Sequence, residues 1–168
     1  PSIAGLMNIE EVGEVQGCLA YRPCSLDGTH PDLFWYGIHG VEALFTIMGP
    51  GCESVTCSKT DGTHVVTGVW KDGRIGTFRG IRDGKAGYGG LVFGSKAIVP
   101  LGSYAGYQPL LDQIGRFFRT GQPPVSAEET INLVAFMAAA DESLKQGGKP
   151  VAIADLMQQA KASLAAEK

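Results

Sequence analysis

Trp35, Tyr36, His39, Glu42 and Thr46 stand at spacings of three, four and seven residues, which on a helix brings them to one face. His39 is central, with aromatic neighbours one turn before it and a carboxylate one turn after. An imidazole with an ordinary pKa near ~6.5 beside a carboxylate suits proton transfer at neutral pH. The bland alternative is a histidine that packs or caps in an ordinary core, and spacing alone brings no convergent pocket to set against it.

Other candidates are weaker. His30 precedes Pro31 and falls either at the mouth of a pocket or on an exposed loop. Arg79 shares a strand face with Ile75, Thr77 and Ile81, where it meets an anionic or polyhydroxy substrate or forms a surface ion pair. His64 follows the turn Thr60-Asp61-Gly62-Thr63 and is expected to face solvent. Cys18, Cys24, Cys52 and Cys57 include no C-x-x-C pair and no histidine at zinc-like spacing, so buried free thiols are expected and no metal. Cys52 and Cys57 lie five apart and would face opposite sides of one strand.

The elements that position these residues follow from periodicity. Residues 13–22 alternate as a strand closed by Pro23. Residues 31–48 carry Phe34, Ile38, Val41, Phe45 and Met48 at helical intervals after Pro31, predicting one helix that ends at Gly49-Pro50. Gly37 and Gly40 inside it predict a close approach by a strand, a second subunit or a ligand. Strand-like runs follow at residues 53–58, 64–71 and 74–82, with Asp72-Gly73 marking a two-residue hairpin turn. Residues 86–100 read as a further strand pair broken at Gly94-Ser95. A helix opens at Pro109 and closes at Gly121. Ser126-Ala127-Glu128-Glu129 caps a second, which runs to Gly147-Gly148, and a terminal helix covers residues 153–166. The expected architecture is α+β, an open and predominantly antiparallel sheet with helices packed on one face.

Composition narrows the function classes. The 168 residues suit a single domain, and 44 % hydrophobic with 18 % charged residues is a globular balance. A net charge of −3 predicts no nucleic-acid partner. No apolar run approaches the ~20 residues of a membrane span. The first ten residues carry no export signal, and with no initiator Met the natural beginning is expected elsewhere, with a cytoplasmic location by default. No glycine cluster has the strand–turn–helix setting that dinucleotide binding requires. Gly87–Gly94 falls between strands, and Gly49-Pro50-Gly51 follows a helix.

Several stretches, in order, resemble the C-terminal domain of Gfo/Idh/MocA oxidoreductases. They are Asp32-Leu33-Phe34-Trp35-Tyr36-Gly37-Ile38-His39-Gly40-Val41-Glu42, Gly68-Val69-Trp70-Lys71-Asp72-Gly73-Arg74 and Thr120-Gly121-Gln122-Pro123-Pro124-Val125. Phe136-Met137-Ala138-Ala139-Ala140-Asp141-Glu142-Ser143 and Gly147-Gly148-Lys149-Pro150-Val151 extend the match over nearly the whole chain. The resemblance implies the substrate-side and oligomerisation half of an oxidoreductase that exchanges hydride between a sugar, cyclitol or related compound and NAD or NADP. It also implies an N-terminal dinucleotide-binding domain absent from this chain, and a homo-oligomer formed through the open sheet.

The family motif runs roughly Asp-x-Gly-x-His-x-x-Asp. Gly37 and His39 match it, Glu42 stands for the final Asp, and Trp35 replaces the first. That implies a catalytic role for His39, with Trp35, Tyr36, Glu42, His30 and Arg79 on the substrate side. Replacing the carboxylate by Trp35 implies altered chemistry, altered substrate binding or lost activity. Gly148-Lys149-Pro150 is not the family's Glu-Lys-Pro motif, which belongs to the other domain. The alternative reading is a free-standing, non-catalytic binding or assembly module derived from the same domain. A cofactor-free lyase or isomerase using His39 is weaker, because no second acid/base partner is evident.

Overall fold

Strands in which every second side chain is apolar must lie on something, and here they lie on helices. The computed structural model describes residues 9–102 and 106–166. Residues 1–8, within the stretch read as lacking an export signal, lie outside them. In chain order the elements are α1 (Ile9–Val12), β1 (Val15–Pro23), a 3-10 turn (Asp32–Phe34), α2 (Ile38–Met48), β2 (Cys52–Thr60), β3 (Thr63–Trp70), β4 (Ile75–Ile81), β5 (Gly89–Gly94) and β6 (Ile98–Pro100). There follow α3 (Gln108–Thr120), α4 (Ala127–Lys145), β7 (Val151–Ala152) and α5 (Ile153–Ala166).

The strands form one open sheet in the order β6-β5-β1-β4-β3-β2-β7. Only β1 and β4 run parallel, because the chain leaves β1 through α2 and the β2–β3 hairpin before returning beside it. Every other pairing is antiparallel. Both edge strands are very short, which leaves little unpaired backbone to recruit another chain. The architecture is the expected α+β one. No helix among the described residues is long and apolar enough to cross a membrane.

One sheet face carries Cys18, Ala20, Val55, Cys57, Val66, Trp70, Phe78 and Val92, all buried against α2 and α4. At its centre Phe45, Trp70 and Phe136 pack with ring centroids 5.5 to 6.3 Å apart. The Trp70 indole donates to the Gly49 carbonyl at 2.9 Å, so its one polar atom is satisfied where α2 ends. α4 begins as the capping signal predicts, with Ser126 Oγ accepting from the Glu129 amide at 3.0 Å. Ser143 then ties the helix end to the sheet, accepting from the Cys57 amide and donating to the Lys149 carbonyl.

The other sheet face is open. Ile75, Val69, Leu91 and Phe93 are exposed on it. α3 ends at Gly121 in the left-handed region, as its terminal signal predicts, yet it buries none of its residues. Its apolar stripe, Leu110, Leu111, Ile114, Phe117 and Phe118, lies exposed.

Gly40 shows what the glycines inside α2 are for. A Cβ there would fall 2.0 Å from Phe78 of β4, and Phe78 is fully buried. Of the three possibilities for the close approach, a neighbouring strand holds at Gly40. Gly40→Ala is therefore expected to cost about 1–3 kcal/mol through forced repacking. Thermal denaturation of the variant, with and without Phe78→Leu to relieve the clash, checks this; no loss in the single variant would refute it.

Three local expectations need correction. Residues 31–48 do not form one helix. After the 3-10 turn Trp35 adopts ψ −91°, outside helical geometry, and α2 starts only at Ile38. Cys52 and Cys57 do not face opposite sides, because a bulge between Cys52 and Ser54 shifts the phase by one residue and both thiols are buried. Nor is the β3–β4 connection a two-residue turn. The Gly73 amide bonds the Trp70 carbonyl, Gly73 sits at φ 84°, and Trp70 and Arg74 close a three-residue loop.

Candidate functional site

At the carboxyl end of β1, where α2 begins, polar and aromatic side chains converge on the helix side of the sheet. His39 is in the first turn of α2, and its Nδ1 lies 3.0 Å from Glu42 Oε2. A carboxylate only accepts, so Nδ1 donates and the lone pair resides on Nε2. The Tyr36 ring meets the imidazole edge-on at 5.3 Å although Tyr36 precedes the helix. Tyr36 Oη in turn lies 2.9 Å from Tyr88 Oη, ahead of β5. Thr46, on the same α2 face, bonds back to the Glu42 carbonyl at 2.7 Å.

Trp35 and His30 form a separate pair, with centroids 5.1 Å apart. His30 Nδ1 is 2.8 Å from the Thr29 hydroxyl, and that hydroxyl also bonds Asp27. The two bracket the 3-10 turn, His30 before it and Trp35 after it, and both are exposed. Arg79 is not brought to His39: it projects from the open face of β4, while Gly76, Phe78 and Gly80 face α2. The sheet separates the two.

Two members of the cluster went unseen in sequence. Arg22 continues the buried alternation of Cys18 and Ala20 along β1 and so points to the α2 side. Tyr88 faces it because Tyr21 pairs with Gly89 in the antiparallel β1–β5 register, which makes 22 and 88 the next opposed positions. The guanidinium carbon lies 5.2 Å from the Tyr88 ring centroid. Burial lowers the Arg22 pKa, opposed by the fields of Tyr88 and Glu42. In sequence both faces of β1 are partly apolar, so the alternation alone gives Arg22 no face.

His64 is the other correction. It is fully buried, because it belongs to β3 in phase with Val66, Gly68 and Trp70. Its Nε2 lies 3.1 Å from Asp32 Oδ2, and Arg82 Nη1 reaches Nδ1 at 2.6 Å. Arg82 has only donors, so Nδ1 accepts and the ring is held neutral. Burial lowers the His64 pKa, and the Asp32 hydrogen bond opposes that. Burial raises the Asp32 pKa, but hydrogen bonds from Lys59 and His64 outweigh it and the net shift is downward. This network fastens the 3-10 turn that precedes Trp35 and Tyr36.

The thiols are not available as nucleophiles at neutral pH. Burial pushes Cys18, Cys52 and Cys57 up to about 12 and raises Cys24 as well. Among the described residues no group of three or more His, Cys, Asp or Glu side chains is placed to hold a metal ion.

A dinucleotide, implied by the family resemblance, finds no pyrophosphate cradle at Gly90 and Gly94. In the glycine-rich run, Cβ atoms at Gly90 and Gly94 would each fall 2.2 Å from backbone oxygens, of Leu19 and Val12. The chain's own backbone fills the space that a pyrophosphate cradle would leave open.

No protein-family model and no curated protein matches the chain. Solved structures do match. A probable dehydrogenase from Thermotoga maritima is similar over 86 % of this chain and 58 % of its own, at 18 % identity and TM-score 0.68. GenD2 from gentamicin A biosynthesis, solved in complex with NAD, matches over 86 % and 57 %, at 18 % identity and TM-score 0.68. Scyllo-inositol dehydrogenase from Lactobacillus casei, solved with NAD(H) and scyllo-inositol, matches over 86 % and 58 %, at 12 % identity and TM-score 0.65. This chain thus spans less than two thirds of the length of each. The open seven-stranded sheet with helices on one face is a fold shared with part of these dehydrogenases, and it is the fold that the Gfo/Idh/MocA resemblance implies.

Proposed function

We propose that this chain is the substrate-side half of an NAD(P)-dependent oxidoreductase of the Gfo/Idh/MocA family, acting on a sugar, cyclitol or related hydroxyl-bearing compound. The observation that carries the reading is the His39–Glu42 hydrogen bond beside Tyr36, set in a fold shared with dehydrogenases. Glu42 fixes the tautomer and orientation of the ring, which leaves Nε2 to exchange a proton with a substrate hydroxyl. The Tyr36 and Tyr88 hydroxyls offer donors and acceptors to neighbouring hydroxyls of the same ligand. Trp35, exposed and paired with His30, borders the substrate side from the loop. The cofactor belongs to a dinucleotide-binding half outside this chain. The exposed stripe of α3 and the open sheet face are the surfaces that such a half, or a second copy, would cover.

The protein expressed from its whole reading frame is expected to bind NAD or NADP and to oxidise at least one member of a polyol and sugar panel. This chain by itself is expected to bind neither cofactor. Cofactor binding by this chain would overturn the reading, and a whole protein inert toward both cofactor and panel would overturn it in favour of the non-catalytic module.

A further inference from the structure

The hydrogen bond between the Tyr36 and Tyr88 hydroxyls ties together two segments that lie outside regular structure. Tyr36 falls between the 3-10 turn and α2, and Tyr88 immediately precedes β5. A phenol can both donate and accept, so this 2.9 Å bond has two possible directions. If Tyr36 donates, its proton is used inside the protein. If Tyr88 donates, the Tyr36 hydroxyl proton is left for an incoming oxygen. The charge nearby decides between them. The Arg22 guanidinium carbon lies 5.2 Å from the Tyr88 ring centroid, whereas the Tyr36 ring lies against His39. A cation held at an aromatic ring draws electron density from it and strengthens its hydroxyl as a donor. Arg22 Nε is buried without a hydrogen-bond partner, so that atom is a source of field and not a docking point. The hydroxyl pair, by contrast, lies at the exposed side of the site, as does the His39–Glu42 bond.

Resting on the oxidoreductase reading above, we propose that Arg22 is a positioning residue that acts through Tyr88. It makes Tyr88 the donor in the phenol pair, so that the Tyr36 hydroxyl donates to a second oxygen of the substrate whose hydroxyl meets His39 Nε2. Tyr36 is then the second group in contact with substrate, and its ring, edge-on to the imidazole at 5.3 Å, sets the spacing of the two. Glu42 orients His39 directly; Arg22 orients Tyr36 through one intermediary.

Two measurements on the protein from its whole reading frame test this. Neutron diffraction from perdeuterated crystals locates the deuteron between the two phenol oxygens. It is expected on Tyr88 Oη, and finding it on Tyr36 Oη overturns the proposal. Steady-state kinetics on a polyol that the protein oxidises read the consequence. Tyr36→Phe is expected to lower kcat/KM about 10–100-fold. With Tyr36 present, Tyr88→Phe and Arg22→Gln should each lower it about 3–10-fold. Arg22→Lys keeps the charge and should escape most of the Arg22→Gln loss. In the Tyr36→Phe background none of these substitutions should have a further effect, whereas a merely structural role gives the same loss in both backgrounds. Tyr88→Phe retains the ring and removes only a hydroxyl, so the cycle can be read even if Arg22→Gln folds poorly. Unchanged turnover by Tyr36→Phe, or a Tyr88→Phe loss that persists undiminished without the Tyr36 hydroxyl, overturns the proposal. Either result leaves the oxidoreductase reading in place provided His39→Ala is impaired. A whole protein inert toward the polyol and sugar panel overturns both, whichever oxygen holds the deuteron.

Discussion

Replacing His39 by Ala is expected to lower kcat of the whole protein roughly 10²–10⁴-fold, the usual weight of a positioned general acid or base. Stability should hardly change. The His39 side chain is 56 % exposed, and its polar partner among the described residues is Glu42, which is itself 47 % exposed. An exposed pair of this kind contributes little to folding, and surface substitutions usually stay within about 0.5 kcal/mol. The contrast between large kinetic loss and small thermal shift is what separates a proton-transfer role from a packing one. Glu42→Gln provides a graded control. It retains a hydrogen-bond acceptor for Nδ1 but removes the charge that stabilises an imidazolium, so a smaller loss is expected, falling on kcat rather than KM. Steady-state kinetics on a substrate found in the panel decide the matter. If His39→Ala turns over at the wild-type rate, the residue is not catalytic.

Much of the fold was legible because the strongest local rules agree with one another. The β3 and β4 alternation, the Ser126 cap and the Gly121 and Gly147 terminators each report a local geometry that tertiary contacts did not override. Where reading failed, the cause was a one-residue change of phase or a context that only the fold supplies. The bulge after Cys52 is invisible to strict period two, and it moves a thiol across the sheet. The stripe from Phe34 to Met48 has helical spacing, but Trp35 leaves helical geometry, so periodicity counted a turn and a helix as one. Of the site, His39 and its pairing with Glu42 were readable from i,i+3 spacing. Arg22 and Tyr88 were not, because they meet through strand pairing across 66 residues of sequence. Arg79 was assigned to the correct strand face, yet that face is the one turned from α2.

His64→Ala should be the most damaging polar substitution in the domain, costing about 2–4 kcal/mol and roughly 5–15 °C in Tm. The ring is fully buried, so truncation opens a cavity, and it removes the partner of Asp32 on one side and of Arg82 Nη1 on the other. Arg82 also holds the Thr60 and Asp61 carbonyls, and Asp32 holds Lys59, so the loss propagates to the β2–β3 turn and the 3-10 turn together. The pH dependence is the distinguishing test. His64 is neutral when folded and its pKa is lowered, whereas the unfolded chain takes up a proton near pH ~6.5. The unfolded state therefore binds more protons as pH falls below that value, and stability declines, by up to about 1.4 kcal/mol per pH unit, until the folded ring protonates. Asp32 acts in the same direction further into acid. Its lowered pKa contributes stability that is present above the unfolded carboxylate value and lost as pH falls through the folded one. Denaturant melts of wild type and His64→Phe, which fills the space but cannot titrate, should therefore converge as pH is lowered from 7.5 to 5.5. Parallel curves would mean that His64 does not carry the acid sensitivity, and that Arg82 and Asp32 are joined by something other than a neutral imidazole.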